Sequence, residues 1–538
     1  MPRSRLLTNA ASNYAGQLTV VATGILLTPF IVAHLGSSMY GVWALIISIQ
    51  GLGGLLDFGV TTSVVKYVAE HHARDETDEI NRVVSSSFFL HLLIGLLTFA
   101  VLCLGAWVGL PLLNLDGRQL DIARQALVVA AAGLMLALPL GVPGNLLTGL
   151  RRYEISNAIN IAQTLISAAL IILVLSSGGG PVELVTINAV GLAAAYAAKW
   201  FFAGRALSGL RISLRFSNLA TLKRIGSYSI WLFVLDTAGK IFYNADAVLI
   251  AAFLPVSKVT DYNLGFRPAS AVSYLSGPMV SVFLPAASEM EARRQTGHLQ
   301  RLLLTGTRVA FALTLVAALW LLAFGRQVME VWVGPGHEEA LPVLYIFLAV
   351  FLVSAAQNPA GAILKGMGRV RALSISVLLE YAANIAISLL LIPRIGIAGA
   401  AVGTLVPALV NDLFVIPWLV CRALGLGYGR FIASTLAGPV LAAVPTLLLL
   451  WPLSVWLRSA SLVTISAGAI AAVILFVLFY LVVGAGKEEK ALLADRLAPL
   501  RSRLRPGKLP YEPYEAAAQH IDTNPEQAPP ARPDSGQP

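Results

Sequence analysis

Asp236 and Lys240 lie four residues apart inside a stretch that is otherwise largely apolar. At 100° per residue, Ser229, Asp236, Lys240, Tyr243 and Asn244 fall within about 100° of one helix face. A charge at bilayer depth costs at least about 2.5–3.5 kcal/mol. This stripe therefore turns away from lipid, toward protein or a wet cavity. The next apolar stretch adds Arg267, which has no acid three or four residues away and so needs a partner outside its own helix. Asp57 shares a face with Gln50, Gly54 and Thr61, and Asn13 shares one with Asn9, Gln17 and Thr28. Lys240, Arg267, Asp236, Asn244, Asp57, Asn13 and Gln17 are the candidate cavity residues. Glu380, Asn384 and Asp412 are weaker candidates further along. For Asp236 and Lys240 a plainer reading stands beside this one: an i,i+4 pair can neutralise itself and act as structural glue.

Other chemistries lack their residues. Gly144–Gly149 has the glycine spacing of a phosphate loop, but Leu150 stands where the lysine belongs. His71 and His72 follow Glu70 without metalloprotease spacing. No Ser/His/Asp or Cys/His set is recognisable, and Cys103 and Cys421 form neither a disulfide framework nor a metal motif. The expectation is a protein that is not an enzyme and takes no cofactor. Work against a gradient would draw on an ion such as H+ or Na+ rather than on ATP.

The elements that must position these residues are membrane helices. Of 538 residues, 57% are hydrophobic and 12% charged, against roughly 25% charged in soluble domains. Lipid must be the solvent. Stretches of about 20 apolar residues number fourteen, near 12–34, 41–65, 83–110, 122–149, 154–176, 182–203, 225–253, 260–288, 308–333, 340–363, 372–392, 397–420, 433–457 and 462–483. Backbone groups in lipid bond internally, so the fold class is all-α and polytopic. The net charge of +10 reads as topology and not as a nucleic-acid surface. Lys66, Arg82, Arg151, Arg152, Arg293, Arg301, Lys365 and Arg371 fall on alternate loops, which places those loops and both termini in the cytoplasm. Residues 487–505 could form a basic amphipathic helix, and 506–538 have the composition of a disordered tail.

The chain also repeats weakly at an offset of 217–222 residues. GNLLTGLRRY (Gly144, Gly149, Arg152) matches GAILKGMGRV (Gly361, Gly366, Arg369), and Glu70, Arg74, Thr77 and Arg82 match Glu289, Arg293, Thr296 and Arg301. Each unit holds six spans, so both insert in one orientation, as parallel repeats of transporters do. The division expected is 1–222 and 223–423 as two six-helix lobes, 424–486 as two additional spans, and 487–538 as a cytoplasmic tail.

The opening SNYAGQLTVVATGILLTPFIVAHLGSSMYGVWAL, LLDFG at Leu55–Gly59, KYVAE at Lys66–Glu70 and IGIAGAAVGT at Ile395–Thr404 resemble the bacterial polysaccharide transport (oligosaccharide flippase) family. The resemblance covers about residues 5–430. It implies two lobes around a central cavity, alternating access, and an inner-membrane protein in contact with membrane lipids. Its cargo would be a polyprenyl-pyrophosphate-linked oligosaccharide, moved from the cytoplasmic to the periplasmic leaflet. A cationic cavity suits that headgroup, and Lys240 and Arg267 are the residues that fit it by charge and depth. The typical member has twelve spans, so the last two depart from the pattern. The alternatives are a cation-coupled exporter of drugs or metabolites, and a membrane polysaccharide polymerase or ligase. The second is disfavoured by the short outer loops.

Overall fold

The computed structural model describes residues 3–57, 59–218, 221–223, 230–457 and 461–484. The expected amphipathic and disordered tail, 487–538, lies outside the described residues. So do the side chains of Asn13, Asp57 and Asp236.

Every regular element among the described residues is helical. The first group comprises α1 (Arg3–Gly53), α2 (Val60–His72), α3 (Thr77–Leu104), α4 (Gly117–Gly149), α5 (Tyr153–Ser176) and α6 (Pro181–Ala206). The second comprises α7 (Ile230–Phe253), α8 (Ser257–Ser273), α9 (Gly277–Ala292), α10 (Thr296–Val333), α11 (Ala340–Gly366), α12 (Val370–Ile395), α13 (Ile397–Val410) and α14 (Ile416–Leu424). After these come α15 (Tyr428–Thr435), α16 (Ala437–Trp456) and α17 (Leu462–Phe479).

Eleven of these helical stretches are long and apolar enough to cross a membrane. Fourteen were expected, and the difference has three local sources. The expected spans at 12–34 and 41–65 run together as one helical stretch, Ala15–Gly53, kinked at Gly36 (φ 72°, ψ 164°), a conformation that favours glycine. Helix α7 carries Asp236, Lys240 and Asp246 within 24 residues. Helices α8 and α9 are shortened by a break at Tyr274–Ser276.

Two expected spans are thus not continuous rods. The one at 41–65 leaves α1 at Gly53, tightens into a 3-10 turn over Gly54–Asp57, and re-enters helix at Val60 after Gly59 at φ 72°. The one at 260–288 breaks at Tyr274–Ser276. There Pro278 opens α9 and has no N–H to return to the Tyr274 carbonyl.

The connecting turns are built alike in the two groups. Asp75 after α2 and Arg294 after α9 both have positive φ (58° and 53°). Glu76 N donates to the His71 carbonyl, and Gln295 N donates to that of Met290. The same holds after α4 and α11, where Arg151 and Gly368 take φ of 61° and 73°. Close helix crossings recur too. A Cβ on Gly149 would lie 2.8 Å from Val68 Cβ of α2, and one on Gly366 would lie 2.7 Å from Ala287 Cβ of α9.

Packing is shared at one end and separate at the other. One core joins Tyr40 and Leu45 of α1 to Ile250 of α7, Leu264 of α8 and Phe347 of α11. Toward the opposite end Val64, Val84 and Leu146 form a core within the first group. Ala287, Leu303 and Ile363 form their own core in the second. Helices α16 and α17 pack on α10 through Phe324, Ala442 and Phe476. Packing across the groups runs mainly through α1, against α7, α8 and α10.

Hydrogen bonds stitch the shared end. Thr260 Oγ1 donates to the Ser37 carbonyl at 2.5 Å, Trp332 Nε1 to the Ile25 carbonyl at 2.7 Å, and Asn114 N to the Ala251 carbonyl at 2.8 Å.

Candidate functional site

Arg267 projects from α8 across to the first group. Its Nη1 donates to Thr28 Oγ1 at 2.9 Å and to the Gly24 carbonyl at 3.4 Å. Its guanidinium carbon lies 5.9 Å from the Trp43 ring centroid. It borders a cavity of about 200 Å³ shared with Thr23, Gly24 and Trp43 of α1, Gln163 and Ser167 of α5, and Asn188 of α6. A guanidinium has five N–H donors in a planar fork, and Nη1 alone makes the two protein hydrogen bonds above. The rest of the fork suits an oxyanion.

Beside this cavity, an apolar groove of about 500 Å³ runs between α5 and α6 past Ile159, Ile166, Leu170, Val190 and Ala194. Gln163 and Ser167 line both spaces. A polar, cationic chamber and a greasy trough therefore meet at two hydrogen-bonding side chains.

Lys240 serves a different place. Its Nζ donates to the Gly54 carbonyl at 2.8 Å, a backbone group where α1 gives way to the 3-10 turn. Asn244 Nδ2 donates to the Lys240 carbonyl at 2.7 Å, and its side-chain oxygen sits where a Cβ on Gly51 would stand. Of the stripe read from the sequence, Lys240 and Asn244 grip the break in α1 and do not border the Arg267 cavity, while Tyr243 is exposed. Gln17 is exposed on α1. Asn13, Asp57 and Asp236 fall at positions whose side chains are not described.

The structure adds residues that sequence reasoning passed over. Lys199 on α6 is buried, with Nζ donating to Asn160 Oδ1 of α5 at 2.8 Å and lying 5.2 Å from the Tyr196 ring centroid. A lysine inside an apolar span was its only sequence signal. Asp246 on α7 is buried as well. It lies two residues, or about 200°, from Asn244, so the stripe that selected Asn244 excluded it. Asp246 Oδ2 accepts from the Tyr262 hydroxyl and from Thr404 Oγ1 at 3.3 Å. Asn384 Nδ2 donates to that same Thr404 hydroxyl at 2.7 Å. Asp246 Oδ1 is buried without a hydrogen-bond partner. Two more acids stand nearby on α12 and just past α13. Glu380 Oε2 accepts from Asn411 Nδ2 at 2.6 Å, and Asp412 Oδ2 accepts from Ser354 Oγ at 2.7 Å.

An all-α, multi-pass chain with charged and polar groups turned into its interior defines a class, the polytopic membrane transporters. Within that class, the chain belongs to the family described as polysaccharide biosynthesis protein, whose model matches residues 6–291. It is 22% identical over 435 residues to a putative O-antigen transporter of Shigella flexneri, covering 78% of this chain and 98% of the relative. It is 20% identical over 439 residues to the membrane protein EpsK of Bacillus subtilis, covering 81% and 87%. Among solved structures, the lipid II flippase MurJ in an inward closed conformation superposes with a TM-score of 0.65 at 10% identity, over 91% of this chain and all of that one. An inward-facing multidrug transporter of the MATE family gives 0.61 at 14% identity, over 76% and 95%. The fold is therefore that of the multidrug and lipid II exporters, as the sequence resemblance implied.

Proposed function

We propose that this protein flips a polyprenyl-pyrophosphate-linked oligosaccharide from the cytoplasmic to the periplasmic leaflet of the bacterial inner membrane, by alternating access. The observation that carries the proposal is the junction of the Arg267 chamber with the α5–α6 groove. A lipid-linked diphosphate is itself an apolar chain joined to an anion. The chamber's planar donor fork takes the diphosphate, and the groove takes isoprene units.

The packing supports the alternating-access part. The two helix groups share a core at one end only, which leaves the other end free to admit cargo. With the basic loops read as cytoplasmic, that free end is the side on which cargo would load. The similar turns and glycine crossings support two six-helix lobes at 1–222 and 223–423, with 424–486 as two appended spans. For energy, we assign a coupling cation, Na+ or H+, to Asp246. Its unpartnered Oδ1 and the neighbouring Thr404 and Asn384 side chains are hard donors suited to a small cation.

The test is flipping by the purified full chain in liposomes, with a fluorescent short-chain polyprenyl-pyrophosphate sugar as probe. Arg267→Ala should lower the rate at least about 10-fold, which is ~1.4 kcal/mol. Arg267→Lys should recover part of it, because a lysine keeps the charge but loses the fork. An unchanged rate in a correctly folded Arg267→Ala protein would overturn the chamber as headgroup site. Transport of small organic cations in place of the probe would turn the reading toward a drug exporter.

A further inference from the structure

We propose that Glu380 and Asp412 share one proton, in a proton-binding site separate from the Asp246 network. The site goes beyond the flipping proposal and stands whatever the cargo is.

Its geometry comes from a wide helical turn. Residues Asn411–Val415 form a π-helix, which lets neighbouring side chains reach different partners. Asn411 turns to Glu380 on α12, and Asp412 turns to Ser354 on α11. Asn411 and Asp412 are 4% and 3% exposed, so both are withdrawn from bulk water. Glu380 is one helical turn before Asn384, about 6 Å along the axis, and Asp412 is about 12 Å beyond Thr404. The pair is thus a neighbour of the Asp246 network and not part of it.

The hydrogen-bond count is one hydrogen short. With Nδ2 donating to Glu380, Asn411 Oδ1 is buried and has no partner. Turning the amide over would aim Oδ1 at Glu380 Oε2 across a 2.6 Å contact, which then needs a hydrogen on the carboxyl. That contact is then completed by one proton on Glu380, with Nδ2 left in the position where Oδ1 has no partner. Charge demands the same. Among the described residues neither acid makes an ion pair, and two adjacent carboxylates at membrane depth cannot both stay ionised. The titratable groups on the surrounding elements do not supply the missing charge. Tyr381 is uncharged beside Glu380; Tyr243, Lys240 and Asp246 lie on α7, where Lys240 holds Gly54. Lys365 is three turns along α11 from Ser354. Cys421 and Arg422 sit on α14, with Arg422 over the Trp418 ring, and Tyr428 donates to the Leu413 carbonyl.

Infrared spectra of the full chain in lipid, taken across a pH series, read this proton directly. The wild type should show a protonated-carboxyl band at a pH where exposed carboxyls have lost theirs. Glu380→Gln and Asp412→Asn should each abolish it or move it, and Asp246→Asn should leave it in place. Glu380→Gln retains an acceptor for Asn411 and carries the test by itself should Asp412→Asn fail to fold. A band that survives in Glu380→Gln, or one removed by Asp246→Asn alone, overturns the proposal. Because the readout is proton occupancy and not transport, its failure and the failure of the flipping proposal are distinguishable.

Discussion

A charged residue inside a membrane helix bundle reveals its role by what its unspent donors or acceptors face. Lys240 spends a proton on the Gly54 carbonyl, which makes it a clamp on a broken helix as much as a ligand. Arg267 keeps most of its fork for the chamber. Asp246 keeps an oxygen. These differences yield separable outcomes. Asp246→Asn preserves shape and one carbonyl acceptor, so the protein should fold near normally. It should lose the rise in thermal stability that the wild type gains on exchanging choline for Na+. Equal shifts in wild type and variant would remove Asp246 as the cation seat. Asp246→Ala should be the worse fold, by about 1–3 kcal/mol, because it strands the buried Tyr262 and Thr404 hydroxyls. Unfolding followed by size-exclusion chromatography after heating checks this ordering. Sequence periodicity found Arg267 and the Lys240 stripe because a helix face is a local property. It passed over Asp246 because that residue lies about 200° from the Asn244 stripe, and Lys199 because it is a lone charge in an apolar span.

At the scale of elements, the breaks within two membrane spans stand out. One sits at Gly54–Gly59 and the other at Tyr274–Ser276, at comparable positions in the two helix groups. Their causes were written in the chain: a Gly53–Gly54 pair with Gly59 in one, and Pro278 in the other. Hydropathy averages over such residues and reported each span as continuous. The glycine crossings were better marked, since Gly149 and Gly366 aligned in the sequence repeat. What the alignment could not reveal is the contact each one makes. Gly366→Ala would place a methyl 2.7 Å from Ala287 Cβ and 2.8 Å from the Leu284 carbonyl. Neither neighbour is the tip of a flexible side chain, so α9 and α11 must separate. The expected loss is about 1–3 kcal/mol, and Gly149→Ala should cost a similar amount through Val68 in the other group. Thermal melts of the two variants test this. A stable Gly366→Ala protein would mean that the α9–α11 crossing yields more readily than its backbone contact implies.

For the whole molecule, the decisive feature is an asymmetric division of packing. A shared core closes one end, and separate cores leave the other end divided between two helix groups. The membrane class and the all-helical fold were legible from composition, because lipid as solvent leaves few alternatives. The state of closure was not, because it depends on contacts between residues more than two hundred positions apart. Thr260 on Ser37 is one such contact, and Gly41 beside the Val256 carbonyl is another. Alternating access requires these contacts to break once per cycle, while the divided end closes. Tying them permanently should therefore stop transport without disturbing the fold. A Ser37→Cys/Thr260→Cys protein should cross-link on mild oxidation, lose flipping of the fluorescent polyprenyl-pyrophosphate probe, and regain it with reductant. With Cys103 and Cys421 replaced, the oxidised protein should still expose a further cysteine placed at Thr61 to a soluble reagent from the cytoplasmic side. Full transport by the cross-linked protein would show that the shared core does not open during the cycle, and cargo would then need a route that leaves α1 and α8 locked together.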